Sequence, residues 1–352
     1  MQNDALDYSK YACPRTHSAL RLDGDVLRAA SGGGAYAVQE GIPQFLHFAP
    51  AEDAQTKEQL ERLVKLARED GWRPALDAVY GADASIVRYV TQIERASYLE
   101  LLPLTPRSEV LEIGPGLGQF TALLASRARS VHGLEVVADQ ARFAAERCRQ
   151  EGRDNVHLAA GGDDCRLPYA DGSFDLVVLN LVFEWCATRC VDESIADVQL
   201  RLLREICRVL KPGGSLYLAT KNRFALRVLM GTPDDHCCGV RFGSALPRWL
   251  ADRAVRRRGH ARRAGLLHSH NGLRALLRQS GFERVESFWA TPEFRFPKHY
   301  VPNDAAAIRA ARRLPGFVQG EARSTRLVMP LVPAPLVRHF TPGLAFLATR
   351  PG

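Results

Sequence analysis

The stretch VLEIGPGLGQFT, residues 110–121, combines three glycines at alternate positions with an acidic residue just before them. Because glycine has no Cβ, a turn through Gly114, Gly116 and Gly118 lets a ligand approach backbone N–H groups. Dinucleotide-binding turns space their glycines G-x-G-x-x-G and receive a pyrophosphate at a helix N-terminus. Glu112 would repel a pyrophosphate, and it suits a ligand that carries a cationic amino group instead.

Further polar residues follow the next predicted strands. Glu135 ends the run VHGLEVV, where a carboxylate can accept hydrogen bonds from both hydroxyls of a ribose. Asp163 follows the third strand, where it can accept from an adenine amino group. Asn180 falls near the end of the buried run FDLVVLN, and open α/β sheets bind ligands at such ends. Together these residues predict a site for an adenosine-type ligand.

Strands and helices must alternate to bring these residues to one edge. The runs SEVLEIG, SVHGLE, NVHLAAG, FDLVVLNLVF and SLYLAT are strand-like. The segments QFTALLASRA, ADQARFAAERCRQ and DVQLRLLREICRVL between them have helical spacing. This alternation predicts an α/β fold with a parallel sheet covered on both faces.

With the LKPGG turn before the fifth strand, these features resemble the class I S-adenosylmethionine-dependent methyltransferases. The resemblance is close over residues 105–220 and looser over 271–290 and 343–350. It implies a Rossmann-like, doubly wound, mostly parallel seven-stranded sheet with an antiparallel last strand. It also implies S-adenosyl-L-methionine as cofactor.

The resemblance assigns roles to the residues of the loop and strand ends. It implies that the three glycines pass under the methionyl part and the sugar, that Glu112 lies near the amino end, and that Glu135 binds the ribose. The family often has Gly-Asp-Ala where this chain has Gly162, Asp163 and Asp164. Either aspartate is therefore a candidate for the adenine contact.

The methyl group of such a cofactor is already activated, so an enzyme needs mainly to align a nucleophile and to offer a base to a hydroxyl. The segment after the fifth strand resembles a bacterial methyltransferase subgroup. The matching residues are Asn222, Arg223, Asp234, Asp235, His236, Pro247 and Arg248. We predict His236 as a general base because neighbouring carboxylates orient imidazole and raise its basicity. An ordinary surface-loop histidine is the alternative.

Asn222, Arg223, His270 and Tyr300 are candidate substrate-binding residues, and insertions at 221–270 and 291–341 are expected to form a lid. The sequence favours O- or N-methylation of a small molecule, glycan or lipid intermediate in bacterial secondary or glycan metabolism. Two alternatives stay open, a tRNA or protein methyltransferase and a non-catalytic cofactor-binding scaffold.

The N-terminal segment, residues 1–50, resembles small zinc-ribbon-like proteins that accompany some methyltransferases. Cys13-Pro14 and AYAVQEGIPQFL carry the likeness, but Thr16 replaces the second cysteine and no cysteine follows before Cys148. We therefore expect a degenerate ribbon without metal that packs on the catalytic domain or on a partner. Residues 51–103 are expected to form a helical linker or cap, and 104–352 the methyltransferase domain.

Composition limits the remaining possibilities. The net charge of +8 concentrates in RAVRRRGHARR, residues 253–263, which is either a solvated helix face or a patch for an anionic substrate, lipid or nucleic acid. Nucleic acid is disfavoured because no aromatic residues are interspersed among these arginines.

Eight cysteines without a C-x-x-C pair favour reduced thiols in the cytoplasm. We expect neither a membrane span nor a signal peptide. Oligomeric state is not indicated.

Overall fold

The computed structural model of the protein describes residues 8–30, 32–49, 52–291, 296–297, 299–314 and 323–352. An antiparallel four-stranded sheet comes first. It contains β1 (Leu20–Asp23), β2 (Val26–Ala29), β3 (Ala35–Gln39) and β4 (Ile42–Pro43). The helical segment that follows contains α1 (Ala54–Asp70), α2 (Trp72–Tyr80), α3 (Ala84–Thr91) and a 3₁₀ stretch at Ile93–Leu101.

A large, mixed sheet forms the centre of the molecule. Its strands are β5 (Glu109–Ile113), β6 (Ser130–Glu135), β7 (Val156–Ala160), β8 (Phe174–Asn180), β9 (Leu210–Lys221), β12 (Arg284–Thr291), β13 (His299–Pro302) and β14 (Gly343–Thr349). Their order is β13-β12-β14-β9-β8-β5-β6-β7. The first five pair in parallel, and β14 is antiparallel to β9 and β12. Two short strands, β10 (Pro233–Asp234) and β11 (Val240–Arg241), pair separately.

Helices cover both faces of this sheet. The helices that follow β5 are α4 (Gln119–Ala125), α5 (Ala138–Gln150), α6 (Ile195–Val209), α7 (Leu226–Leu229), α8 (Arg248–Arg257), α9 (His270–Gln279), α10 (Ala305–Ala311) and α11 (Arg323–Val328). On α6, the apolar residues Val198, Leu202 and Ile206 recur at helical spacing and are buried. Strand β8 is buried along nearly its whole length, which explains its continuous apolar run.

The predicted α/β fold, with its mostly parallel sheet and antiparallel final strand, is confirmed. The sheet has eight strands instead of the expected seven, because β13 pairs with β12 and extends the edge. Strand β5 lies between β6 and β8, so the direction of winding reverses there. Open α/β sheets bind ligands beside the carboxyl ends of strands at this reversal.

The N-terminal sheet is joined to the other edge of the large sheet. Gln44 forms a parallel bridge with Ala160, and the N–H of Phe45 donates to the Ala160 carbonyl at 2.6 Å. Tyr11 stacks on Tyr169 with ring centroids 5.2 Å apart. The N-terminal segment thus continues the sheet beyond β7. The second expected insertion, 291–341, is described only in part, since 292–295, 298 and 315–322 lie outside the described residues.

No helix among the described parts of the chain is long and apolar enough to cross a membrane. All eight cysteines are free thiols.

Candidate cofactor and acceptor site

The glycine turn connects β5 to α4, and its three glycines serve different purposes. All three have positive φ, at 74°, 55° and 74° for Gly114, Gly116 and Gly118. A Cβ on Gly114 would lie 2.5 Å from the Val182 side chain, and one on Gly118 would lie 3.0 Å from Ala144. A Cβ on Gly116 would meet nothing within 4 Å. Close packing therefore requires two of the glycines, and Gly116 alone faces open space that a ligand can enter.

A cavity opens beside Gly116 at the point where the sheet reverses its winding. Glu112 and Asn180, from the ends of β5 and β8, line it. Arg95 and Tyr89 line it from the helical segment before β5, with the Arg95 guanidinium 3.4 Å from the Tyr89 ring centroid. Sequence reasoning missed these two residues, because an arginine and a tyrosine within a predicted amphipathic helix form no distinctive pattern.

Glu135 lies at the end of β6 and is held by the glycine turn. Its carboxylate accepts the Gly116 N–H at 2.9 Å on one oxygen and the Val137 N–H at 3.1 Å on the other. The side chain is buried, and burial raises its pKa despite these hydrogen bonds. Each oxygen keeps a second lone pair, so the carboxylate can still accept from two hydroxyls.

Glu112 is a buried acid that accepts a 2.6 Å hydrogen bond from the Thr121 hydroxyl. Burial raises its pKa to about 7, and the negative charge of Glu135 adds to this effect. A cationic group in the cavity would favour the ionised form. The Glu112 side chain is therefore suited to recognise an amino group and to lose its proton as it does so.

Asp163 and Asp164 follow β7, and both already have partners in the chain. The two oxygens of Asp163 accept the His47 and Phe48 N–H groups at 2.9 and 2.8 Å. Asp164 pairs with Arg166 at 2.8 Å. Asp163 thus fastens the N-terminal segment to the end of β7. A role for either aspartate in binding adenine stays a prediction.

Replacing Asp163 by alanine is expected to loosen this junction. Two N–H groups would lose a charged acceptor, and each such bond contributes about 1.5–3 kcal/mol. Hydrogen exchange of the His47 and Phe48 amides should accelerate at least tenfold, with little change in β5 or β8. Asp164→Ala serves as the matched control and should leave these amides protected. Equal protection in both variants would show that Asp163 does not hold the segment.

His236 lies in a 3₁₀ turn after β10 and is only 2% exposed, so it is not a surface-loop histidine. Its Nδ1 lies 3.1 Å from Asp234, and its ring stacks on Trp185 with centroids 4.3 Å apart. Within the described residues, Nε2 is buried without a hydrogen-bond partner. Burial raises the pKa of Asp234, but hydrogen bonds from His236 and Ser244 outweigh burial and hold it at about 2.

The four predicted substrate residues have contacts within the fold. Asn222 donates to the His339 and Thr341 carbonyls, and Arg223 donates to those of Ser244 and Leu246. His270 begins α9 and lies 2.9 Å from the Ser287 hydroxyl, and burial lowers its pKa to about 4. Tyr300 pairs with Ala290 in the sheet, and burial raises its pKa to about 12.

These contacts fix the segments around the site, and contact with a substrate stays a prediction for all four residues.

The arginine-rich stretch separates into two groups. Arg262 donates to main-chain carbonyls of residues 187–190, and Arg263 pairs with Asp252 at 2.7 Å. Arg253, Arg256, Arg257 and Arg258 are exposed on or just after α8. Only the second group can form a surface for an anionic partner.

Comparison with known proteins agrees with this geometry. A family model described as a methyltransferase domain matches residues 111–218. Over 143 residues the chain is 32% identical to the malonyl-[acyl-carrier protein] O-methyltransferase of Methylococcus capsulatus, covering 40% of this chain and 46% of that protein. Over 145 residues it is 34% identical to the biotin biosynthesis bifunctional protein BioHC of Cellvibrio japonicus, covering 40% and 26%. The chain thus spans less than half the length of these relatives.

A solved structure of phosphoethanolamine N-methyltransferase 2 from Haemonchus contortus, in complex with S-adenosyl-L-methionine, aligns with 82% of this chain and 60% of that one. The sequence identity is 16% and the TM-score is 0.46. The family match covers the glycine turn, Glu135 and strands β6 to β8. Residues 111–218 therefore match a methyltransferase domain, in agreement with the resemblance of the glycine turn and its acids to the class I S-adenosylmethionine-dependent methyltransferases.

Proposed function

We propose that this protein transfers the methyl group of S-adenosylmethionine to a small molecule or to a glycan or lipid intermediate. The observation that carries the proposal is the open space at Gly116, in a cavity that the buried Glu112 lines, next to the buried Glu135 carboxylate that accepts the Gly116 N–H. A ligand with a ribose and a cationic amino group can donate hydrogen bonds to the Glu135 carboxylate and pair with the Glu112 carboxylate. The positively charged sulfur of the bound cofactor supplies a methyl group that is already activated for displacement.

The chain's own residues would orient the cofactor and the acceptor. Glu135 would accept from the ribose hydroxyls, Glu112 would pair with the amino group, and Arg95 suits the carboxylate of the methionyl part. Asp163 or Asp164 would read the adenine edge. His236 would take the acceptor's proton on Nε2, because its Nδ1 faces the ionised Asp234, which stabilises the imidazolium.

Replacing His236 by glutamine is expected to lower the rate of methyl transfer about 100-fold, the range typical of a lost general base. The dissociation constant for S-adenosylmethionine should stay within about twofold, since His236 does not line the cavity at Gly116. The assay follows label from methyl-labelled S-adenosylmethionine into a cell extract of the source organism. His260→Gln, at an exposed histidine, is the control. An unchanged rate in the His236 variant would assign the base elsewhere.

A macromolecular acceptor, tRNA or protein, is the second candidate. It is favoured by Trp249, which is 69% exposed on α8 beside the exposed Arg253 and Arg256. Ultrafiltration of the labelled extract separates the two proposals. Label in the filtrate supports a small acceptor, whereas retained label that is lost after nuclease or protease treatment supports a macromolecule.

A further inference from the structure

Glu184 is a buried acid that the proposed roles leave unused. It lies in the connection after β8, within the apolar run LVFEW, and is 1% exposed. One carboxylate oxygen, Oε2, accepts the Thr220 hydroxyl at 2.7 Å. The other, Oε1, is buried and finds no hydrogen-bond partner in the described part of the chain. Burial raises the pKa of this carboxyl.

Glu184 and His236 are held side by side by one short segment. The Leu266 N–H donates to the Glu184 carbonyl at 3.0 Å, and the Gly265 N–H donates to the His236 carbonyl at 3.1 Å. Trp185, next to Glu184, stacks on the His236 ring. Oε1 of Glu184 and Nε2 of His236, two buried polar atoms that have no hydrogen-bond partner among the described residues, thus come from adjoining segments.

This place adjoins the cofactor cavity. Asn180, the last residue of β8, and Val182, in the same connection as Glu184, line that cavity. Thr220 lies near the carboxyl end of β9, the strand beside β8. A methyl acceptor must lie close to the cofactor, at the same edge of the sheet. An unpaired buried polar group destabilises the folded chain, and a ligand that supplies the missing partner can offset this cost.

We propose that Glu184 selects the methyl acceptor by accepting a hydrogen bond from its nucleophilic O–H or N–H group. The acceptor atom then belongs to an alcohol, a phenol or an amine and not to a carboxylate. A carboxylate acceptor has no proton to donate and would place a second negative charge beside Glu184. This inference rests on the proposed methyl transfer.

The same arrangement provides a base for the proton that the acceptor loses during methyl transfer. The acceptor's lone pair forms a bond to the methyl carbon as the carbon–sulfur bond breaks, and the electron pair of that bond stays on sulfur. The acceptor's proton passes to Nε2 of His236. Glu184 keeps the heteroatom aligned through its hydrogen bond. Lys221 could favour a carboxylate acceptor, but its Nζ lies 4.0 Å from Asp235 and 5.9 Å from the Trp185 ring centroid.

The test identifies the chemical class of the product. The protein is incubated with cell extract of the source organism and S-adenosylmethionine that carries a tritiated methyl group. The labelled products are then treated with mild base. Methyl esters hydrolyse and release volatile labelled methanol, whereas methyl ethers and methylamines retain the label. We expect the label to be retained, and mass spectrometry of the product then distinguishes an ether from an amine.

Glu184→Gln is the matching variant, with Glu193→Gln, at a partly exposed glutamate of the same connection, as the control. We expect kcat/KM for the extracted acceptor to fall at least 30-fold only in the Glu184 variant. The dissociation constant for S-adenosylmethionine should be unchanged. The unfolding temperature should not fall, because the amide still accepts from Thr220 and carries no buried charge.

Release of the label as methanol would overturn the inference while leaving methyl transfer intact. Full kcat/KM in Glu184→Gln would overturn it as well. If Glu184→Gln fails to fold, the base stability of the wild-type product decides the question. An extract that receives no label, from protein that binds S-adenosylmethionine, would contradict the proposed function and the inference with it.

Discussion

Replacing Glu112 by glutamine is expected to weaken S-adenosylmethionine binding about 100-fold and to abolish the proton release that accompanies binding near pH 7. The loss corresponds to about 2.7 kcal/mol, within the range of a hydrogen bond to a charged group in a buried site. Glutamine preserves the shape of the side chain and can still accept from Thr121. The variant therefore removes the charge and little else.

The sign of the pH effect follows from the raised pKa of Glu112, about 7. Below this value the free protein holds the proton, and a bound amino group displaces it. Binding should release about 0.9 proton at pH 6, about 0.5 at pH 7 and about 0.1 at pH 8. Affinity should rise between pH 6 and 7 and then level off. Above pH 8 it should fall, because an α-amino group begins to lose its own charge.

Calorimetry in two buffers of different ionisation enthalpy measures this proton release directly. Glu100→Gln, at an exposed glutamate paired with Arg127, is the control and should behave as the wild type. Proton release that persists in Glu112→Gln would assign the titrating group elsewhere.

The raised pKa of Glu112 should also make the free energy of unfolding of the cofactor-free protein depend on pH. A carboxyl whose pKa is raised by folding binds more protons in the folded than in the unfolded state between its usual pKa and 7. The contribution of Glu112 to the free energy of unfolding therefore declines as pH rises through this window, and bound cofactor should oppose the decline.

Local patterns in the sequence were sufficient for the sheet and the glycine turn. Alternating strands and helices predicted the order of elements from β5 to β9, and Glu112 and Glu135 fall at the strand ends where the pattern placed them. The strand β13 was not predicted, because four residues in a proline-rich segment have no clear period.

Contacts between distant parts of the chain could not be predicted in this way. Asp163 looked like a ligand contact, yet its oxygens hold backbone N–H groups more than a hundred positions earlier. Asn222 likewise binds carbonyls of the far C-terminal segment. Glu184 was missed because one acid in an apolar run predicts a buried strand. Among the described residues, Oε1 of Glu184 has no hydrogen-bond partner, and this can be recognised only in the folded structure.

Glu135 carries the largest expected effect on cofactor binding. Its carboxylate is fixed by Gly116 and Val137 before any ligand arrives, so the ligand does not have to order it. Glu135→Ala would remove acceptors for two ribose hydroxyls and release the Gly116 N–H from its partner. Two hydrogen bonds to a charged group contribute about 3–5 kcal/mol, so affinity should fall by about two to four orders of magnitude.

Calorimetric titration of the wild-type protein and Glu135→Ala with S-adenosylmethionine tests the central claim most directly. The account predicts one site per chain with micromolar affinity in the wild type, no measurable binding in Glu135→Ala, and wild-type binding in Glu100→Ala. A wild-type protein that fails to bind S-adenosylmethionine, or a Glu135→Ala variant that binds it equally well, would contradict the placement of the cofactor at the glycine turn.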